Sequence, residues 1–342
     1  MNKFAFIIHP IEIGDFHKSL PILKNAPDFL ISTMGRYINP FKISEIKGIN
    51  TPRGEVEGYL IGLPFTLEQI EVLPQDIIVN KYIRAGKLAQ ELGVNIIGLE
   101  PYSFRIPELS HLIGEKIPLP ITIGTTYSLL SAISGIKKVV GLLGKDFKEC
   151  DVSIIGVDNT IGGAVAKIVA KEVKYLTLVS SNKSYLESLE KEILVETGTA
   201  VHITDKLENV IKSREILIIA SNQEYKNIDI DEVKANTIIC DLSRPKILTR
   251  DLENKRKDIL FIDGGLIKLP FGIDLGFDYG YSPNMCSPAL AETILLTIEE
   301  KYQSFSLGQV IDMDKVNTIN NMAKNNGFTI GGVTNYYKEL QI

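Results

Sequence analysis

Tryptophan is absent from this chain, cysteine occurs 3 times and histidine 4 times in 342 residues. The cysteines, Cys150, Cys240 and Cys286, are far apart and odd in number. That does not suit a disulfide framework and implies a reducing, cytoplasmic setting. The histidines show no metal-ligand spacing, so no metal site is assigned. Basic charge is scarce as well: 37 Lys and Arg against 42 Asp and Glu leave a net charge of −5. Without a basic stripe, nucleic acid is not the expected partner, and Lys255-Arg256-Lys257 reads as solvated surface. No run of about twenty apolar residues offers an integral membrane segment. The apolar stretch after Met1 is too short for a signal peptide and lacks a small-residue cleavage site. Internal repeats and low-complexity linkers are missing too.

What is present is an ordinary globular composition, 44% hydrophobic and 23% charged, long enough for two domains. The most informative stretch runs from Val152 to Ala170. An apolar run, Val152 to Ile155, ends at Gly156; a short polar turn follows, and Gly162-Gly163 open a segment with Ile161, Val165, Ile168 and Val169 at helical spacing. This strand, turn and helix would offer backbone N–H groups to a diphosphate. The glycine spacing departs from G-x-G-x-x-G, with Asp158 at the middle position, and a looser G-x-x-G-x-x-G finds Asn159. Asparagine tolerates positive φ better than most residues, so the turn can still form. An ordinary buried strand–helix corner would leave a similar trace.

Strands are expected at Phe4–Ile8, Pro40–Ile46, Gly58–Leu63, Asn95–Leu99 and Pro118–Ile123, with helices from Thr66 to Leu92 and from about Thr125 to Leu143. A loop, Glu100 to Pro107, follows the fourth of these strands. After the glycine turn the alternation is regular: Tyr175–Val179, Ala200–Ile203, Ile216–Ala220, Thr237–Asp241 and Ile259–Asp263 read as strands separated by helical stretches. Right-handed βαβ crossovers and a parallel sheet follow. The expected class is α/β, with an N-terminal α/β substrate domain over 1–125 and a Rossmann domain over 126–284. A C-terminal helical segment, 285–342, is expected to pack back on the first domain.

Candidate cofactor residues are Gly156, Asn159, Thr160, Ile161 and Gly162 in the turn, Ser221 after the fourth strand of this series and Arg244 after the fifth. After Val179 an NAD site usually has Asp or Glu, whereas this chain has Ser180, Ser181, Asn182 and Lys183. Hydroxyls and an ammonium suit a 2′-phosphate that a carboxylate would repel, which favours NADP over NAD. Ser287-Pro288 reads as an N-cap and first helical residue. Cys286 therefore stands just outside a helix N-terminus, where the dipole would lower a thiol's pKa. A small buried cysteine without reactivity reads the same way.

The sequence as a whole resembles the long-chain acyl-[acyl-carrier-protein] reductases and their bacterial relatives described as amino acid or shikimate-type dehydrogenases. The resemblance rests on Phe4–Pro10, Pro40–Ile46, Glu57–Gly62, Gly86–Gly93 and Ile97–Leu99, and continues through Leu176–Val179, Arg244-Pro245, Gly264-Gly265, Ala291–Leu296 and Phe305–Gly308. It implies NADPH as reductant and a fatty acyl thioester, on acyl carrier protein or coenzyme A, as substrate. In that chemistry a cysteine takes the acyl group, hydride reduces the thioacyl-enzyme, and aldehyde leaves.

The departures cluster at the expected cleft. The family's nucleophilic cysteine falls on Ala289, which leaves Cys286 as a displaced nucleophile. The family's central turn glycine is Asn159, and its arginine after the second strand is Ser181. Its Phe-Thr-Ser loop reads Tyr102-Ser103-Phe104, and its Thr-Thr-Gly-Asn segment reads Thr122-Ile123-Gly124-Thr125. Three readings result, in order of preference. The first is NADPH-dependent reduction of an acyl thioester through a thioacyl-enzyme. The second is an NAD(P)-dependent dehydrogenase of a small carbonyl or amino compound without a covalent intermediate. The third is a catalytically silent nucleotide or acyl-carrier binder.

Overall fold

The apolar runs of the first half become the strands of a mixed sheet in a computed structural model. The structure describes residues 2–10, 37–101, 105–220, 228–243, 254–308, 310–336 and 338–341. Strands β1 (Asn2–Ile8), β2 (Phe41–Thr51), β3 (Gly54–Gly62), β4 (Ile96–Leu99) and β5 (Ile121–Thr122) line up in the order β2-β3-β1-β4-β5. β1 runs parallel to β3 and β4, and β4 parallel to β5. Only β2 is antiparallel, joined to β3 by the turn at Thr51, whose hydroxyl donates to the Gly54 carbonyl at 2.8 Å.

The helical pattern expected from Thr66 to Leu92 is two helices, α1 (Leu67–Val72) and α2 (Gln75–Glu91), and α3 (Arg105–Lys116) forms where no helix was expected. Thr66 and Gln69 form a capping box at the start of α1, and Gly93, at φ +72°, ends the segment after α2. Tyr82, Ala85 and Ala89 of α2 pack into a core with Ala5 and Ile7 of β1, Ile61 of β3 and Ile97 of β4. Strands covered on both faces read as continuous apolar runs, as β4 does. The expected loop from Glu100 to Pro107 is instead helical from Arg105. The expected strand Pro118–Ile123 shortens to β5.

Helix α4 (Thr125–Leu142) leads to the second sheet: β6 (Asp151–Ile155), α5 (Thr160–Val169), β7 (Tyr175–Val179), α6 (Lys183–Thr197), β8 (His202–Thr204), α7 (Leu207–Ile211), β9 (Ile216–Ile219), β10 (Ile238–Asp241) and β11 (Leu260–Ile262). Its order is β8-β7-β6-β9-β10-β11, with every pairing parallel. Counted from β6 this is 3-2-1-4-5-6, the doubly wound Rossmann order, and the fold is α/β. Arg256 departs from the solvated surface expected of it. Its guanidinium donates to the carbonyls of Ile230 and Val233 and pairs with Asp258 at 2.7 Å.

The remaining elements are β12 (Gly264–Lys268), β13 (Met285–Cys286), α8 (Pro288–Ile298), α9 (Met313–Asn325), β14 (Thr329–Asn335) and β15 (Lys338–Glu339). The chain divides into unit 1, Met1–Tyr127 with Ile267–Thr329, and unit 2, Ser128–Leu266 with Ile330–Ile342. The first crossing falls between Tyr127 and Ser128, where 125 was expected. The second falls at 266 and not at 284, because Ile267 and Lys268 pair antiparallel with Cys286 and Met285 in unit 1. The last residues return to unit 2, where the Asp263 N–H donates to the Thr334 carbonyl at 2.8 Å. Of the expected C-terminal segment, β13, α8 and α9 therefore belong with unit 1; α8 packs on β1, β4 and β5. Among the described residues no helix is long and apolar enough to cross a membrane.

Candidate nucleotide corner and a buried polar cluster

In unit 2 the strand order reverses between β6 and β9, and ligands of open α/β sheets bind at such a point, beyond the carboxyl ends of the strands. β6 ends at Ile155, beside Ile219 of β9. Gly156 then turns the chain at φ +79°, a conformation only glycine adopts without strain. α5 begins at Thr160, and its first turn lies close on that bend. A Cβ on Gly162 would stand 2.5 Å from the Gly156 carbonyl oxygen and 2.7 Å from the Val157 Cα. Gly156 and Gly162 thus fill the tight-turn and close-packing roles that a dinucleotide corner requires.

Asn159 behaves differently from its expected role. Its φ of −127° is extended, so it contributes no left-handed turn; it is the N-cap of α5. Its side-chain oxygen accepts the N–H groups of Ile161 and Gly162, both at 3.0 Å. Its amide nitrogen donates to the Gly156 carbonyl at 2.8 Å and to the Ala220 carbonyl at 2.7 Å. Two of the N–H groups expected to face a diphosphate, those of Ile161 and Gly162, are therefore engaged. The corner fits a dinucleotide at its two glycines and opposes it at Asn159. An asparagine just ahead of a helical apolar pattern is the signal for such a cap.

At the end of β7, Ser180 is fully buried, and its hydroxyl accepts the Asn182 N–H at 3.0 Å. It shapes the turn and is withdrawn from the ligand role expected of it. Asn182 caps α6, accepting the Tyr185 N–H at 3.1 Å. Ser181 and Lys183 are exposed, with the Lys183 ammonium 3.9 Å from Glu187. No carboxylate occupies positions 180 to 183. Ser221 and Arg244 lie outside the described residues, as does Tyr102-Ser103-Phe104.

Unit 1 holds a buried polar cluster at the carboxyl ends of β1 and β4. Ser287 caps α8 as its sequence implies, accepting the Leu290 N–H at 3.3 Å, and its hydroxyl donates to Glu100 Oε2 at 2.8 Å. Glu100 follows β4 directly and its N–H donates to Ile7 of β1. His9, two residues beyond Ile7, is buried, and burial pushes its imidazole down to about 4. Tyr279 turns its phenol oxygen inward with no hydrogen-bond partner among the described residues; burial first, then the Glu100 charge, raises it well above the usual phenol range.

Cys286 belongs to this cluster. It is 1% exposed, and burial together with the Glu100 carboxylate pushes its thiol far upward. The helix N-terminus was expected to lower it; desolvation and a neighbouring negative charge reverse the sign. Ala289 is buried against Gly124, where a Cβ would come within 2.3 Å of the Ala289 Cα.

Glu292, part of the Ala291–Leu296 match, is fully buried on α8. Its carboxylate accepts the Thr122 hydroxyl and the Tyr127 N–H, the latter at 3.0 Å, and so ties β5 to the first turn of α4. Burial raises its pKa, and those hydrogen bonds oppose the shift. Sequence reading assigned no role to Glu292, Glu100 or His9. Glu100 and His9 carried a signal, a polar residue just past the carboxyl end of a buried strand. Glu292 carried none.

No family model matches the chain. It is similar to the aminotransferase PigE of Serratia sp. (strain ATCC 39006), 23% identical over 99% of this chain and 41% of that protein. It therefore spans about two-fifths of that relative's length. It is also similar to the long-chain acyl-[acyl-carrier-protein] reductase of Synechococcus elongatus, 22% identical over 84% of this chain and 87% of that one. Among solved structures, L-tryptophan dehydrogenase from Nostoc punctiforme aligns over 95% of this chain and 80% of its own at 12% identity and a TM-score of 0.41. Quinate dehydrogenase from Corynebacterium glutamicum, in complex with NAD, aligns over 76% and 87% at 14% identity and a TM-score of 0.34. At such scores the strand order of unit 2 carries the fold assignment, not these likenesses. Apart from the aminotransferase, the named likenesses are to oxidoreductases, and they do not single out the acyl-[acyl-carrier-protein] reductases.

Proposed function

We propose that the protein is an NAD(P)-linked oxidoreductase acting on a small carbonyl or amino compound without a covalent intermediate. One observation carries this reading: the 3-2-1-4-5-6 parallel sheet with Gly156 and Gly162 at the corner beside its switch point. The corner and the start of α5 would hold the diphosphate. Ser181 and Lys183, with no carboxylate between positions 180 and 183, favour the 2′-phosphate of NADP. When bound, the nicotinamide supplies a hydride donor or acceptor.

The covalent route needs a thiolate. Cys286 is buried beside a carboxylate, and position 289 is alanine, so the non-covalent reading takes precedence over thioester reduction. The likeness to the Synechococcus reductase favours the alternative, reduction of an acyl thioester with acyl carrier protein as partner. Titrating the chain with NADPH and NADH, followed by intact mass after incubation with acyl thioester, separates the two. Nucleotide binding without an acyl adduct supports the proposal. An adduct lost in Cys286→Ala supports thioester reduction, and absence of binding to either nucleotide rejects both.

A further inference from the structure

Resting on the nucleotide reading above, we infer that Asn159 sets the affinity of the corner, its amide standing in the place of the dinucleotide's diphosphate oxygens. The amide makes four hydrogen bonds, two accepted from the first turn of α5 and two donated to Gly156 and Ala220. Those carbonyls follow β6 and β9, the two strands that flank the switch point. The side chain therefore spans the crevice and occupies the helix donors in one stroke, which an ordinary N-cap does not do.

A diphosphate reaching the same N–H groups must first move the amide aside. It would gain charge-assisted bonds and the favourable end of the helix dipole, because a phosphate oxygen is charged where the amide oxygen is neutral. Against this, the Gly156 and Ala220 carbonyls lose their donors. The exchange is close to balanced, so the wild-type corner binds its dinucleotide weakly and closes itself when the ligand leaves. Glycine at 159 removes the competitor and remains an acceptable cap residue.

The test uses the full chain and calorimetric titration, with NADPH, NADH and adenosine 2′-phosphate as probes. Removing the competing amide is worth about one net hydrogen bond, so Asn159→Gly should tighten NADPH and NADH by roughly three- to tenfold and by the same factor. Adenosine 2′-phosphate, which has no diphosphate, should gain nothing. Asn159→Asp keeps a capping oxygen but sets a negative charge against the diphosphate, and should weaken both dinucleotides. Asn159→Ser, a strong N-cap without the amide donors, should tighten both, and it decides the matter if the glycine variant fails to fold. Equal dinucleotide affinities in wild type, glycine and serine variants would overturn the role of Asn159 and leave the nucleotide reading standing. No binding by wild type or any variant would overturn the nucleotide reading itself.

Discussion

Cysteine labelling puts the covalent route to its sharpest trial. An ordinary thiol, with a pKa near 8.5, is about 3% thiolate at pH 7, and each further unit of upward shift cuts that fraction tenfold. Cys286 is shifted upward by burial first and by the Glu100 charge second. The side chain is 1% exposed, so a reagent also waits for the surrounding structure to open. If that opening costs about 4 kcal/mol, accessibility alone contributes roughly a thousandfold, at 1.4 kcal/mol per factor of ten. Cys150 and Cys240 are buried as well. The expected outcome is that iodoacetamide modifies Cys286 in the native chain at least about a thousandfold more slowly than in urea-unfolded chain, read by peptide mass against time. Glu100→Gln should leave the rate slow, because burial is the larger cause. Native labelling within tenfold of the unfolded rate, or an acyl group recovered on Cys286, would refute the argument.

Further expectations concern the buried polar groups and the glycine corner. Glu292→Ala leaves the Thr122 hydroxyl and the Tyr127 N–H without their acceptor in a fully buried place. At about 1–3 kcal/mol for each of the two stranded groups, the loss should be roughly 2–6 kcal/mol by urea unfolding, and less than 1 would contradict the tie between β5 and α4. Because burial raises Glu292 above its ordinary 4.5, its contribution is greatest below that pH and falls as pH rises through the folded value; Glu292→Gln should flatten this part of the stability profile. His9 has the opposite slope. Held neutral down to about 4 in the fold against 6.5 unfolded, it should lower stability by about 3 kcal/mol as pH falls through that window, and His9→Gln should abolish the change. Gly162→Ala would force a Cβ within 2.5 Å of the Gly156 carbonyl. We expect a loss of about 1–3 kcal/mol in stability and of NADPH affinity by about tenfold or more, measured by calorimetry on the folded variant.

Much of the architecture is local and therefore legible in the chain. The apolar runs that became β1, β4, β6 and β9, the Thr66 capping box, the Gly93 stop and the Ser287-Pro288 helix start are decided by residues within a few positions of one another. The parallel sheet follows from the alternation of those runs with helices. Tertiary structure decided what depends on partners far away in sequence. Asn159 reads as a permissive turn residue until Ala220, 61 positions on, accepts its amide. Cys286 reads as an activated thiol until Glu100, 186 positions earlier, is brought alongside and water is removed. Glu292 is one polar residue in an apolar helix until Thr122 and Tyr127 converge on it. In each case the residue's own chemistry was visible from the start, but the sign of its effect came from desolvation and from a partner that only the folded chain supplies.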